Sequence, residues 1–129
     1  MRYVALAIAL ALIALAIFSN RGSFDESRWY DFEEGMKLSA ESGRDILVFI
    51  SKKDCPTCAE FKRFFSNEEN FEKLESLVIP VFVEWPRDEL PVRVTIFPTF
   101  CVGNAVDFPR DCKTFASPDD FMEWLNETV

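Results

Sequence analysis

Histidine is missing from this chain of 129 residues, and its 14 basic side chains are outnumbered by 22 acidic ones. Without histidine there is no histidine-ligated zinc, no haem attachment through Cys-x-x-Cys-His, and no catalysis by a Cys–His or Ser–His couple. The formal net charge of −8 argues against nucleic acid as a partner and against binding to anionic lipid through a basic face. Internal repeats and low-complexity segments are also missing. With 49 % hydrophobic residues, the chain therefore predicts one domain around one core.

The N-terminus carries an uninterrupted apolar run over residues 4–18. A helix of that length spans about 23 Å, which is less than the ~30 Å hydrocarbon core of a bilayer. The length favours a cleaved signal peptide with a site at Ala14-Leu15-Ala16, whereas the apolar Ile17 and Phe18 favour an uncleaved membrane anchor. Both alternatives place the remainder outside the cytoplasm, in the periplasm or at the cell exterior. We divide the chain into a signal peptide or N-terminal membrane anchor (1–21), a short linker (22–28) and a folded domain (29–129).

Two of the four cysteines form the motif Cys55-Pro56-Thr57-Cys58. It directly follows the apolar run 46–50 and directly precedes an amphipathic segment, which predicts a buried strand leading into a helix. Pro56 fits the first helical position. The partial positive charge of a helix N-terminus favours a thiolate, so Cys55 is the candidate nucleophile. Cys58 falls on the side of the predicted helix that faces the core, so it is the candidate buried, resolving thiol. On the motif alone, a structural disulfide or half of a metal site stays open.

Apolar spacing before the motif predicts an amphipathic helix from Trp29 to about Ser42, with Gly43 as its C-cap. This helix leads into the predicted strand over residues 46–50. The apolar face of the helix would consist of Trp29, Phe32, Met36 and Ala40.

After the motif, Ser66 and Asn67 with Glu69 resemble a capping box and predict a second helix. A strand follows over residues 78–84. Because proline donates no ladder hydrogen bond, this strand either lies at the sheet edge or begins after Pro80. Two strands joined through helical material imply a parallel pair.

The C-terminal third predicts an antiparallel hairpin and a last helix. The hairpin would pair residues 97–102 with 105–108 across a two-residue turn at Gly103-Asn104. Ser117 and Pro118, followed by two aspartates, predict the start of the last helix. The order of elements is that of an α/β fold with a mixed sheet.

This order resembles the thioredoxin superfamily over roughly Trp29 to Asn126, because a Cys-x-x-Cys motif at a helix start is followed about forty residues later by an aromatic residue, proline and threonine. The resemblance implies a thioredoxin-like fold with a mixed central sheet of about four strands flanked by helices, preceded here by an N-terminal hydrophobic helix. It also implies a cis-proline at Pro98. The implied substrate groove is formed by Phe97, Pro98, Thr99, Pro56 and Thr57.

The same resemblance implies a thiol–disulfide oxidoreductase that works by dithiol/disulfide exchange through Cys55 and Cys58, with no metal or organic cofactor. Its expected partners are exported cysteine-containing proteins, a redox donor or acceptor protein, and the membrane if the N-terminal segment stays in place. Two positions depart from the pattern: Asp54 replaces a tryptophan, and Phe49 replaces a buried acid. The alternative is a redox-inert binding module with a structural Cys55–Cys58 disulfide.

Cys101 and Cys112 are extra to the thioredoxin pattern. An exported compartment is usually oxidising, so we expect a second disulfide between them. The predicted hairpin would instead place Cys101 opposite Val106, so the chain after Pro109 would have to fold back. Two buried free thiols, or a metal site formed by all four cysteines, are the alternatives.

Overall fold

The computed structural model describes residues 24–87 and 90–129, so the predicted signal peptide or anchor lies outside the described residues. Within these two ranges, no helix is both long enough and apolar enough to cross a membrane. The elements are a short 3-10 helix (Glu26–Arg28), α1 (Phe32–Ser42), β1 (Ile46–Ser51), α2 (Pro56–Ser66), α3 (Glu68–Leu77), β2 (Ile79–Glu84), β3 (Thr99–Gly103), β4 (Asp111–Lys113) and α4 (Pro118–Thr128).

The four strands form one mixed sheet in the order β2-β1-β3-β4. β1 is parallel to β2 and antiparallel to β3, and β4 is antiparallel to β3. All six residues of β1 are buried, as its continuous apolar sequence predicted for a central strand. β2 lies at the sheet edge, where Pro80 costs no ladder hydrogen bond to a further strand. The α/β fold class is confirmed.

A core lies on each face of the sheet. The first is largely aromatic: Phe49 of β1 stacks on Phe100 of β3 with ring centroids 5.0 Å apart, and Phe61 and Phe65 of α2 cover them. The second is aliphatic and contains the alternate β1 residues together with Cys101, beneath α1 and the loop between β2 and β3. Alternation along β1 therefore assigns each apolar side chain to one of two different cores.

The first helix begins three residues later than predicted. Asp31 is its N-cap and accepts a hydrogen bond of 2.8 Å from the backbone N–H of Glu34. Trp29 precedes the helix and is buried in the aromatic core, where Phe24 of the predicted linker packs on it at 5.6 Å. Within α1, Gly35 and Ser39 are buried and Ala40 is exposed, so the predicted apolar face was wrong at Ala40.

The capping prediction at the start of α3 also needs a correction. Ser66 is the last residue of α2, and its hydroxyl donates to the carbonyl oxygen of Lys62. Asn67 caps α3 instead, because its side-chain oxygen accepts a hydrogen bond from the N–H of Asn70 at 3.1 Å. Gly43 ends α1 with φ 75°, as predicted.

The predicted hairpin with a two-residue turn was wrong. Residues 104–110 form a loop in which the Asn104 side chain accepts hydrogen bonds from the N–H groups of Val106 and Asp107. An asparagine that bonds its own following backbone favours a turn over a strand. The returning strand is therefore β4, and it places Cys112, not Val106, opposite Cys101.

The last helix starts where the sequence predicted, with Ser117 before it and Pro118 as its first residue. The Ser117 side chain makes no capping hydrogen bond. Phe121, Trp124 and Leu125 form the buried face, and the Trp124 indole donates to Asp111 at 2.8 Å, which ties α4 to β4.

Candidate active site

Cys55 stands at the N-cap of α2, with Pro56 as the first helical residue. The sulfur of Cys55 accepts a hydrogen bond of 3.2 Å from the backbone N–H of Cys58, one of the N–H groups that a helix start leaves without an intrahelical partner. The two cysteines form a disulfide with a Cα–Cα distance of 5.2 Å. Cys58 is 1 % exposed whereas Cys55 is only half-buried, so an incoming sulfur can reach Cys55 alone.

The structure places three of the five predicted groove residues next to Cys55: Pro56 and Thr57 follow it in the chain, and Phe97 contacts it. The Phe97–Pro98 peptide bond is cis, and the Phe97 carbonyl oxygen lies 3.8 Å from the Cys55 sulfur. Pro98 is buried and Phe97 is half-buried. Pro56 and Thr57 continue directly from Cys55 into α2. The fifth residue, Thr99, begins β3, and its hydroxyl bonds the carbonyl oxygen of Ile96 at 2.5 Å.

Both departures from the family pattern have a clear place in the structure. Asp54 is exposed in the turn before α2 and adopts a left-handed conformation with φ 58°, which aspartate tolerates better than a bulky tryptophan. Phe49 is fully buried among aromatic rings. A carboxyl group at that position would be surrounded by Trp29, Phe65 and Phe100, without a polar partner.

An open cavity of about 680 Å³ borders the disulfide on the side of β2. Cys55 and Cys58 contribute to its wall, and so do Lys62 of α2 and Glu84 of β2. Lys62 and Glu84 were not predicted from the sequence as site residues. One feature of the sequence does point to Glu84, because it is an acidic residue at the end of an otherwise apolar strand. In a parallel pair, that end lies at the same edge of the sheet as the end of β1, where the active-site loop begins.

Three lysines give this cavity a local positive charge in an acidic protein. Lys52 and Lys53 lie in the turn before Cys55, and Lys62 lies one helical turn after Cys58. The Lys62 ammonium is 5.3 Å from the ring centroid of Phe82, and the Lys52 ammonium is 5.6 Å from that of Phe97. Among the described residues, none of the three lysines forms a salt bridge.

The other two cysteines are joined in a second disulfide. Cys101 and Cys112 face each other across β3 and β4 with a Cα–Cα distance of 4.1 Å. Cys101 is fully buried in the aliphatic core, and Cys112 is exposed. Of the three arrangements that the sequence left open, the structure adopts the disulfide. This disulfide belongs to the α1 side of the sheet, whereas α2 with Cys58 packs on the other side.

A mixed four-stranded sheet, a Cys-x-x-Cys disulfide at a helix start and an adjacent cis-proline define a thioredoxin-type protein. A family model described as thioredoxin-like matches residues 28–103, which is more than half of the chain. The chain belongs to this thioredoxin-like family. At the level of the family, the fold and the cysteine pair support thiol–disulfide oxidoreductase chemistry.

Two individual proteins show how far the similarity extends. An uncharacterized protein of Archaeoglobus fulgidus is 40 % identical over 121 residues, which cover 93 % of this chain and 92 % of that protein. The solution structure of a thioredoxin from Thermus thermophilus matches with a TM-score of 0.65 at 22 % identity, covering 78 % of this chain and 85 % of that one. The second similarity concerns the fold alone.

Proposed function

We propose that this protein is an exported thiol–disulfide oxidoreductase that exchanges disulfides with cysteine-containing proteins through Cys55 and Cys58. The observation that carries this proposal is the asymmetry of the pair. Cys55 is partly exposed at the start of α2 with a backbone N–H donated to its sulfur, and Cys58 is buried directly behind it. A thiolate is the reactive form of cysteine, and this position stabilises it on Cys55.

In the reducing direction, the Cys55 thiolate attacks one sulfur of a substrate disulfide. A Cys55–substrate disulfide forms, the substrate S–S bond breaks, and the released substrate thiolate takes a proton from solvent. Cys58 then loses its proton and attacks the Cys55 sulfur, which forms the Cys55–Cys58 disulfide and expels the second substrate sulfur as a thiolate. Two electrons pass from the protein dithiol to the substrate. In the oxidising direction the same steps run backwards, with a partner protein restoring the disulfide.

The proposed substrate groove lies beside Cys55. The Phe97 carbonyl next to the Cys55 sulfur offers backbone for an extended substrate segment. Ile96 directly precedes Phe97 in the chain and, at 60 % exposed, offers an apolar surface. Phe97, Pro98, Thr99, Pro56 and Thr57 form the proposed contact residues.

Two features support an extracytoplasmic location, in the periplasm or at the cell exterior. The apolar run over residues 4–18 is typical of a signal peptide or an N-terminal anchor. In the described part, all four cysteines are paired in disulfides, which persist in oxidising compartments. Cell fractionation followed by N-terminal sequencing tests this location. A mature chain that starts after Ala16 indicates a cleaved signal peptide, an intact N-terminus in the membrane fraction indicates an anchor, and an intact chain in the cytosol contradicts export.

The function itself is tested by equilibrating the full-length protein in glutathione buffers, trapping the thiols and counting them by mass. We expect a two-thiol transition that disappears in Cys55→Ser and persists in the matched control Cys101→Ala/Cys112→Ala. A potential of about −120 to −180 mV would make the protein a disulfide donor, and one near or below about −270 mV a reductant. Absence of a Cys55-dependent transition would contradict the proposed oxidoreductase function and would favour the alternative, a redox-inert binding module.

A further inference from the structure

The buried position of Cys58 raises the question of where its proton goes. Cys58 must be deprotonated before its sulfur attacks Cys55, yet its side chain is 1 % exposed. The family's buried acid on the preceding strand is replaced here by Phe49, which is enclosed by aromatic rings. Cys58 does border the open cavity of about 680 Å³. The proton acceptor therefore has to be reached through that cavity.

The cavity wall contains two carboxylates, Asp54 and Glu84. Asp54 is exposed in the turn that carries the nucleophile Cys55. Glu84 is half-buried at the end of β2, and alternation with Phe82, which packs against the aromatic core, places it on the α2 side of the sheet. Cys58 belongs to α2, so Glu84 is the carboxylate that faces the helix with the resolving thiol.

The neighbour of Glu84 on β1 is an unusual polar residue. Ser51 pairs with Glu84 in the parallel register, so both side chains lie on the same face of the sheet. Ser51 is fully buried, and its hydroxyl has no hydrogen-bond partner within the described residues. A buried hydroxyl is nearly always hydrogen-bonded, so Ser51 has an unused donor and acceptor on the face of the sheet that it shares with Glu84.

Several charged groups lie around Glu84. The Lys62 ammonium lies over the ring of Phe82, two residues before Glu84, and Lys52 and Lys53 border the same cavity. On its other side Glu84 borders a smaller cavity together with three further charged residues, Glu26, Asp31 and Arg87.

We propose that Glu84 is the general base that deprotonates Cys58 during resolution of the mixed disulfide. The inference rests on the proposed exchange reaction. The Cys58 S–H bond breaks and its proton passes through the cavity to the Glu84 carboxylate. The Cys58 sulfur bonds to the Cys55 sulfur, and the Cys55–substrate bond breaks with its electron pair on the departing thiolate. Glu84 then returns its proton to solvent, and in the oxidising direction it protonates Cys58 as Cys58 leaves.

The two chemical steps can be separated with dithiobis(nitrobenzoate), an aromatic disulfide that releases a coloured thiolate at each step. Full-length protein reduced at Cys55–Cys58 is mixed with one equivalent of the reagent. The first phase is attack by Cys55, and its rate depends on reagent concentration. The second phase is resolution by Cys58, and its rate does not. Cys58→Ser confirms the assignment by abolishing the second phase alone.

We expect Glu84→Gln to slow the second phase at neutral pH on the order of 100-fold, the lower end of what general acid–base catalysis contributes. The first phase should stay unchanged. The deficit should shrink as pH rises, because hydroxide then removes the Cys58 proton, and added acetate or imidazole should restore the rate. Glu84→Asp, which keeps the carboxylate, should retain most of it. The matched control is Glu60→Gln on the exposed side of α2, which should change neither phase.

Equal second phases in Glu84→Gln and Glu60→Gln would overturn the proposal. If Glu84→Gln does not fold, a measurement on the unaltered protein tests the role of Glu84 instead. With Glu84 as internal base, the second phase is independent of acetate or imidazole concentration, whereas a linear dependence overturns the proposal. Failure of the proposed function itself is distinguishable, because the unaltered protein would then lack the Cys55-dependent first phase.

Discussion

The Cys55 sulfur and the Phe97 carbonyl oxygen lie 3.8 Å apart, although 42 positions separate the two residues in the chain. Cys55 is held by the start of α2, and Phe97 by the loop that leads into β3. Ile96 directly precedes Phe97 in the chain, and its side chain is exposed. We expect a polypeptide substrate bound along Phe97 to cover Ile96, and a small disulfide to leave it uncovered.

Replacing Ile96 with serine should weaken exchange with a disulfide-bonded unfolded test protein. Ile96 is 60 % exposed, and loss of an apolar side chain that a substrate buries costs about 1.5 kcal/mol, or roughly tenfold in KM. The rate with hydroxyethyl disulfide should stay unchanged. Val106→Ser is the matched control, because Val106 is 96 % exposed on the loop after β3 and takes no part in the proposed groove. If both variants exchange protein disulfides equally well, Ile96 does not contact the substrate.

The two disulfides should open in a fixed order during reduction. Attack at the exposed Cys112 would expel the Cys101 thiolate into the aliphatic core, where nothing solvates the charge. Attack at Cys55 expels Cys58, which borders an open cavity. With increasing dithiothreitol, we expect alkylation to label Cys55 and Cys58 first and Cys101 and Cys112 only under denaturing conditions. Mass mapping that finds labelled Cys112 in the folded protein before Cys55 would contradict this order.

Gly35 allows α1 to lie close to β2, and an alanine there should destabilise the protein. The added Cβ would overlap the Cγ2 atom of Val81, a fully buried and β-branched residue. Overpacking of this kind costs about 1–3 kcal/mol, which exceeds the gain of up to about 1 kcal/mol from better helix propensity. In a Val81→Ala background the clash is gone, so the sign should reverse and Gly35→Ala should stabilise. Urea unfolding of the four proteins in this double-mutant cycle measures both effects.

Asp107 should make the stability depend on pH. A hydrogen bond from the backbone N–H of Asn104, and then one from Arg110, hold the pKa of Asp107 below its usual value of 3.8. A carboxyl whose folded pKa is depressed contributes stability above its unfolded pKa, and loses it as pH falls through the folded value. Asp107→Asn should therefore melt at a lower temperature than the unaltered protein at pH 6, and the difference should shrink as the pH falls through the folded pKa of Asp107.

The control for this pH dependence is Glu72→Gln, an exposed acid of α3. Its melting temperature should follow that of the unaltered protein at every pH. A difference between Asp107→Asn and the unaltered protein that stays constant as the pH falls would show that the asparagine acts through the turn and not through the charge.

Local patterns in the sequence determined most of the fold and the centre of the site. The apolar run of β1, the proline after Cys55 and the glycine after α1 each act within a few residues, so they predict elements without knowledge of the neighbouring elements. Cys55 and Cys58 belong to the same turn of one helix. Because only two residues separate them, the start of a helix is enough to bring their sulfur atoms together.

Only the tertiary structure decided which residues meet across elements. A tight turn at Gly103-Asn104 was compatible with the sequence, but the Asn104 hydrogen bonds lengthen the loop, so Cys112 lies opposite Cys101. Helical spacing could not distinguish Ala40 from Gly35 and Ser39 as the buried face of α1, because the close approach of Val81 decides it. Glu84 reaches the active-site cavity through the register of β2 on β1. Such pairings depend on how whole elements pack, and no local pattern encodes them.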